Sequence, residues 1–276
     1  IGDCGKINGI VSGKFDVPIT IWGASTARAN FDPSIIQMET KKETYNFGLD
    51  GVNIDQYQGL LNYRLAQSKR AEIAIIALDI FGGLEKRNNF YHLHNWIHHL
   101  DNDSIYSCLT DINHEQTWKA RYIPFYRLCI SNKHGLSMVK KQVNAPMVDY
   151  TDENQGFVPA DQPYQNEYSE SDSVWVPVSD RVLKKISNSC DIAIKNNVKP
   201  IIVITPCYHD GLELIKNTRE FLDAIENSCQ AVVLDYHNHP ISLDQANFKD
   251  NTHLNSAGAT KFSKIFAEDL RSLLEH

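Results

Sequence analysis

The chain has 276 residues, of which 42% are hydrophobic, and its formal net charge is -7. This length and apolar content can fill the core of one α/β domain, so we expect a single domain over residues 1–276. Nucleic-acid-binding proteins usually carry a basic patch, and no cluster of Lys and Arg stands out here, which argues against nucleic acid as a partner. No run of residues reaches the roughly 18 to 20 apolar positions of a membrane-spanning helix.

The two ends of the sequence are unusual. It begins at Ile1 rather than at Met and closes with Leu-Glu-His, which is typical of the start of an expression tag. These ends are compatible with an upstream signal peptide or membrane anchor that is absent from the sequence.

Six cysteines occur, and none are paired in a Cys-x-x-Cys spacing. They are Cys4, Cys108, Cys129, Cys190, Cys207 and Cys229. An even number is compatible with free thiols or with disulfides, and in a chain of this length we favour free, mostly buried thiols. The cysteines do not determine the compartment.

The first 80 residues alternate between strand and helix patterns. Residues 19–23 form a β-branched and aromatic run that ends in Gly, which predicts a buried strand. Asp32 and Pro33 then supply an N-cap and a proline at the first helical position, and a helix is predicted to about Met38. The next predicted elements are a strand over 44–47, a helix over 54–67 and a strand over 71–78.

The same alternation returns after residue 178. The predicted elements are a helix over 182–194, a strand over 199–205, a helix over 212–225, a strand over 231–234 and a closing amphipathic helix over 256–274. Strands that alternate with helices indicate βαβ units and a largely parallel sheet. The sequence therefore predicts a three-layer, flavodoxin-like α/β fold.

The middle of the chain, about residues 85–178, breaks this rhythm. It is rich in Tyr, His and Asn, and residues 142–180 contain eight acidic residues but no Lys or Arg. We interpret it as an insertion over one edge of the sheet. A substrate-covering lid and an acidic solvated loop without a role are both open.

Ser25 is the predicted nucleophile. It follows the first strand in Gly23-Ala24-Ser25-Thr26, so its hydroxyl is expected at the carboxyl edge of the sheet, where ligands bind in open α/β folds. Gly and Ser also form ordinary turns, so this motif alone is weak.

A second motif, Asp250-Asn-Thr-His253, directly precedes the closing helix. An Asp three residues before a His on a tight turn can accept the Nδ1 proton while Nε2 faces a serine. The alternative is an Asp that caps the turn beside a surface His.

Taken in order, these motifs resemble those of the SGNH (GDSL-like) hydrolase superfamily. The superfamily is recognised by short sequence segments called blocks. The serine of block I matches Ser25, and the glycine of block II matches Gly51 at the end of Asn-Phe-Gly-Leu-Asp-Gly. The Asp and His of block V match Asp250 and His253. The resemblance runs from about residue 19 to 270, with its motifs at the two ends. It implies that Ser25 attacks an ester carbonyl, that His253 shuttles the proton and that the amides of Ser25 and Gly51 bind the oxyanion. It requires no metal and no cofactor.

Block III differs from the family pattern of Gly-x-Asn-Asp. The corresponding strand end reads Ala77-Leu-Asp-Ile80, so Asp79 stands where the family has an Asn that donates to the oxyanion. An ionised carboxylate cannot donate a hydrogen bond, and the loss of one donor costs on the order of 3 kcal/mol. Either another group fills the oxyanion hole or the activity is low.

Divergent block III sequences also occur in SGNH-like proteins that build cell envelopes, such as alginate O-acetyltransferases and the D-alanyl-transfer protein of teichoic acid synthesis. Residues 23–28, followed by Phe-Asp-Pro at 31–33, are similar to this group. The resemblance implies an acylated carbohydrate or glycopolymer substrate and a location in the cell envelope, with a cytoplasmic location left open.

Arg28 stands one turn after Ser25 and, with Asp79, is a candidate substrate-binding residue. Its guanidinium could clamp an anionic or carbonyl group, or form an ion pair with the acidic insertion.

Histidines and aromatic residues are concentrated at the start of the insertion. The histidines are His92, His94, His98 and His99. Spacing supplies no acidic or Cys partner, so solvated histidines are favoured over a metal site. The neighbouring Phe90, Tyr91 and Trp96 could stack on a sugar, although packing against the sheet is favoured.

The sequence therefore predicts an O-acyl, foremost O-acetyl, esterase or transferase that works through an acyl-serine. The alternative from a different class is a non-catalytic glycan-binding or scaffold protein on the same fold, and Asp79 favours it.

Overall fold

The computed structural model describes residues 2–86, 92–130, 154–165 and 173–275. Its five strands form one parallel sheet in the order β2-β1-β3-β4-β5. The strands are β1 (Ile19–Gly23), β2 (Thr44–Asn46), β3 (Ile73–Leu78), β4 (Lys199–Ile204) and β5 (Val232–Asp235). This strand order is that of the flavodoxin-like folds, so the predicted fold class is confirmed.

Ten helices are named here in chain order. They are α1 (Gly2–Ser12), α2 (Ser25–Asn30), α3 (Pro33–Thr40), α4 (Ile54–Gln67), α5 (Asp103–Thr110), α6 (His114–Tyr122), α7 (Asp180–Lys195), α8 (His209–Leu214), α9 (Thr218–Glu226) and α10 (Ser256–Glu275). Short 3-10 turns lie at Leu93–Asn95, Ile97–His99, Pro240–Leu243 and Gln245–Asn247. Within the described ranges, no helix is long and apolar enough to cross a membrane.

Successive residues of a strand point to opposite sides of the sheet, so each face of this sheet is covered by its own apolar core. In β3, Ile73, Ile75 and Ala77 face a core shared with Phe262 and Phe266 of α10. The alternate residues of the strand face a second core that contains residues of α1, α4, α7 and α9. These two cores give the three layers.

Several predicted elements match the structure closely. The helix over 54–67 is reproduced as α4, with Asn53 as its N-cap, and Asp32 caps α3 with Pro33 at the first position. The strand and closing-helix predictions agree within two residues. Helix α1 was not predicted.

The prediction of one helix over 212–225 is wrong. The chain forms α8 and α9 there, because residues between them pair with a segment of the insertion. Ile215 bridges to Val174, and the Asn217 side chain accepts from the Val176 amide at 2.8 Å and donates to its carbonyl at 2.9 Å. Long-range pairing of this kind, within one chain, outweighs local helix propensity.

The described part of the insertion includes α5 and α6. Leu100, Ile105 and Leu109 are fully buried in the same core as α4. A lid role for the insertion and the single-domain organisation stay predictions.

Candidate active site

Ser25 is positioned by the close approach of β1, β3 and α2. The register places Gly23, at the end of β1, opposite Ala77 of β3, and α2 begins two residues later. A Cβ on Gly23 would lie 2.6 Å from the Ala27 Cβ and 2.7 Å from the Ala77 carbonyl oxygen. Only glycine permits this packing, which holds Ser25 at the carboxyl edge of the sheet.

The Asp250–His253 segment is a tight turn. The Asp250 carboxylate accepts hydrogen bonds from the backbone amides of Thr252 at 3.0 Å and His253 at 2.8 Å. The Lys249 amide donates to the His253 carbonyl at 2.8 Å and closes the turn. Asp250 thus fulfils the capping role of the alternative interpretation, but it also contacts the His253 ring.

The three side chains form one continuous hydrogen-bonded chain. His253 Nδ1 lies 2.8 and 2.9 Å from the two carboxylate oxygens of Asp250, and His253 Nε2 lies 2.8 Å from Ser25 Oγ. Because an ionised carboxylate only accepts, Nδ1 carries the proton and Nε2 accepts from the serine hydroxyl.

Asp250 remains ionised although it is only 4% exposed. Burial acts to raise the pKa of this carboxyl, but the hydrogen bonds from His253 and the Thr252 amide outweigh it and hold the pKa below the usual value. The orienting group of the His253 ring is therefore a carboxylate at neutral pH.

Asn30, at the end of α2, ties the Ser25 helix to the His253 turn. This side chain is fully buried, donates to the Thr252 carbonyl at 3.1 Å and accepts from the Leu254 amide at 2.9 Å. Both partners are neighbours of His253 in sequence. Sequence reasoning missed Asn30, and no local pattern points to partners more than 220 residues away.

The loop from Asn46 to Gly51 is fixed on the other side of Ser25. The Asn46 side chain donates to the carbonyls of Ala27 and Phe31 at 2.7 and 3.0 Å and accepts from the Gly48 amide at 2.9 Å. The buried Lys6 Nζ donates to the Gly48 carbonyl at 2.6 Å. This scaffold brings Gly51, with φ at +66°, to the site.

A cavity of about 240 Å³ lies beside Ser25 and His253. Its lining includes Ser25, Thr26, Gly51, Asn53, Tyr57, Asp79, Phe81, Thr252 and His253. Among the residues that the structure describes, the backbone N–H groups of Ser25 and Gly51 have no hydrogen-bond partner. Both are thus available to a ligand at this edge of the sheet.

Asp79 lines the cavity just after the end of β3. One of its carboxylate oxygens accepts from the Gly82 amide at 2.7 Å, which shapes the turn that follows the strand. Tyr57 lines the same cavity and is 1% exposed, and burial together with the Asp79 charge raises the pKa of its phenol. Asp79 therefore brings negative charge, not a third donor, to this cavity.

Asn53 lines the same cavity. Its side-chain oxygen caps α4 by accepting from the Asp55 amide at 3.1 Å, and one N–H of its side-chain amide donates to the Glu85 carbonyl. Asn53 and Tyr57 were both missed as cavity residues, because in sequence they resemble an ordinary helix cap and an ordinary apolar helix position.

Arg28 does not line the cavity. Its guanidinium lies 3.4 Å from the carboxylate of Asp50, which precedes Gly51. Within the described ranges this ion pair joins α2 to the Gly51 loop and not to the acidic insertion. Substrate binding by Arg28 stays a prediction.

The histidines of the insertion lie on two 3-10 turns rather than on one helix face. No group of three or more His, Cys, Asp or Glu residues suited to a metal ion occurs in the described part of the chain. Trp96 is 1% exposed and belongs to the core, so it packs rather than presenting a stacking surface. Phe90 and Tyr91 lie outside the described residues.

Fold and geometry together define an α/β protein with a Ser-His-Asp arrangement at the carboxyl edge of its sheet. No family model and no curated protein matches the chain. One solved structure similar to it is that of a candidate lipolytic protein of the G-D-S-L family from Desulfitobacterium hafniense DCB-2. The two chains are 11% identical, with a TM-score of 0.41, over 91% of this chain and 98% of the other.

Proposed function

We propose that the protein is a serine-dependent acyl-ester enzyme of the SGNH hydrolase type. The observation that supports this most strongly is the unbroken hydrogen-bonded chain from Ser25 Oγ through His253 to Asp250, next to a cavity. Ser25 and His253, which are 228 positions apart in sequence, meet there, and the direction of the hydrogen bonds is the one that nucleophilic catalysis requires.

In the proposed reaction Ser25 Oγ attacks the ester carbonyl while His253 Nε2 takes its proton. Asp250 stabilises the resulting imidazolium, and the free amides of Ser25 and Gly51 donate to the developing oxyanion. His253 then protonates the departing alkoxide, which leaves an acyl-serine. Water or an acceptor hydroxyl attacks that ester, with His253 as the base, and Ser25 is regenerated.

The substrate is proposed to carry a short acyl group, foremost acetyl, on a carbohydrate or envelope glycopolymer. A cavity of about 240 Å³ is small beside typical ligand pockets of about 300–1,000 Å³, which favours a short acyl chain over a long one. The carbohydrate and the envelope location are proposed from the sequence resemblance. Whether water or a sugar hydroxyl is the acceptor defines the protein as esterase or transferase.

One observation favours a second candidate function. Asp79 places a carboxylate in the cavity, where charge repulsion opposes an oxyanion. A glycan-binding or scaffold protein on this fold would tolerate that carboxylate.

Hydrolysis of a chromogenic acetyl ester separates the two candidates. We expect turnover by the wild type and its loss in Ser25→Ala. Ser34→Ala is the matched control, because Ser34 also lies in the first turn of a helix but bonds only to its own N-cap, Asp32, at 2.6 Å. Equal rates in wild type and Ser25→Ala would rule out the enzyme and leave the binding protein. Addition of sugar acceptors then shows whether acyl groups pass to sugar faster than to water.

A further inference from the structure

Two cysteines that are distant in sequence face each other beside the sheet. Cys190 lies in α7, and Cys229 lies between α9 and β5, 39 residues further along. Their Sγ atoms are 2.7 Å apart. The remaining described thiols, including the exposed Cys129, have no such partner.

The pair lies far from the proposed catalytic groups in the topology. Cys229 precedes the first residue of β5, Val232, and therefore lies at the amino edge of the sheet. Ser25 and Asp79 follow the carboxyl ends of their strands, at the opposite edge. A change at the cysteines does not touch the cavity.

The two thiols are unequal in burial and in acidity. Cys190 is fully buried, whereas Cys229 is half-buried. The hydrogen bond from Cys190 lowers the pKa of Cys229 against the opposing effect of burial, while the same contact and burial raise the pKa of Cys190. The less buried cysteine is thus the one that favours the thiolate, which is the reactive form.

We propose that Cys190 and Cys229 form an intramolecular disulfide when the protein meets a disulfide oxidant such as oxidised glutathione. The Cys229 thiolate attacks one sulfur of the oxidant, which breaks its S–S bond and releases one glutathione thiolate. Cys190 loses its proton to that thiolate and attacks Cys229 Sγ, which expels the second glutathione. Two protein thiols are oxidised and one oxidant disulfide is reduced to two thiols.

This disulfide links α7 to the start of β5 and closes a loop that contains β4, α8 and α9. A cross-link across 39 residues removes much conformational freedom from the unfolded chain. For a protein of this size we expect the oxidised form to melt roughly 5 °C above the reduced form. The cross-link is independent of the proposed acyl-ester activity.

The test uses the full chain with Cys129→Ser, which removes the exposed thiol and prevents linkage between molecules. The purified, reduced protein is incubated with oxidised glutathione, and its intact mass, thiol count and peptide map are measured. We expect the mass to fall by two hydrogen atoms, two thiols to disappear, and one peptide pair to join Cys190 to Cys229. The proposed hydrolase activity should be the same before and after oxidation.

Two further variants complete the test. Cys229→Ser should keep its mass in the same oxidant and show no gain in melting temperature, whereas Cys4→Ser, which removes another half-buried thiol, should still form the cross-link. The proposal is overturned if the Cys129→Ser protein keeps the thiols of Cys190 and Cys229, if a glutathione adduct on Cys229 is the final product, or if the joined peptides contain other cysteines.

Discussion

Replacing Asp250 by Asn should abolish almost all activity while leaving the fold intact. In Asp250, one carboxylate oxygen accepts from both the Thr252 and the His253 amide. The asparagine side chain keeps one oxygen, which can accept the same two hydrogen bonds. Its NH₂ group then occupies the second oxygen position, 2.9 Å from His253 Nδ1. This amide group donates to Nδ1 and favours the tautomer with the ring proton on Nε2, in competition with donation from Nδ1 to the retained oxygen at 2.8 Å.

The consequence reaches Ser25 directly. A protonated Nε2 at 2.8 Å donates to the serine oxygen and cannot take its proton. In serine proteases the equivalent change lowers kcat by about 10⁴-fold, which is about 5 kcal/mol of transition-state stabilisation. Stability should change by no more than about 1–2 kcal/mol, because the backbone hydrogen bonds of the turn remain.

The assay is steady-state hydrolysis of an acetyl ester, with the melting temperature measured on the same samples. Asp235→Asn is the matched control, since Asp235 forms a second pair with His237 Nδ1, at 2.6 Å, outside the cavity lining. This control should retain wild-type kcat. If Asp250→Asn keeps more than a tenth of the wild-type kcat, the role given to Asp250 is wrong.

Two other substitutions and one pH series test parts of the site separately. Asn30→Ala should lower kcat at least tenfold at temperatures where the protein is fully folded. Asn217→Ala is the control, because it breaks the same two kinds of backbone hydrogen bond outside the cavity lining and should lower only the melting temperature. Asp79→Asn keeps an acceptor for the Gly82 amide and adds a hydrogen-bond donor to the cavity. We therefore expect kcat for acetyl esters to rise about tenfold or more. An unchanged or lower kcat would contradict the inference that an oxyanion donor is missing. The pKa of Asp250 is lower in the folded protein than in the unfolded chain, where it is near 4, so the carboxylate stabilises the fold above that pH. The difference in unfolding free energy between wild type and Asp250→Asn, measured by chemical denaturation, should therefore shrink as pH falls below about 4.

Much of the sheet could be predicted because buried parallel strands leave a strong local signal. The run over 71–78 is almost continuously apolar, as expected for β3, which has a core on each face. Helix α1 left no comparable signal, since it contains glycines and a fully buried lysine. The partners that stabilise Lys6 there, the carbonyls of Gly48 and Gly156, are 42 and 150 residues away.

The candidate site divides in the same way. Ser25, Asp250 and His253 stand in short motifs whose order could be read along the chain, and the structure brings them together. The residues that hold and enclose them could not be identified, because Asn30 and Tyr57 act through long-range packing. Polar residues with distant backbone partners resemble ordinary helix residues until the fold is known.

Trapping the acyl-enzyme tests the proposed function most directly. The protein is mixed with excess activated acetyl ester, quenched in acid within the first turnover and digested for mass spectrometry. The peptide that contains Ser25 should carry one acetyl group in wild type, and Ser25→Ala should carry none at this position. Acetylation confined to other residues, or absent while the ester is still hydrolysed, would contradict nucleophilic catalysis by Ser25.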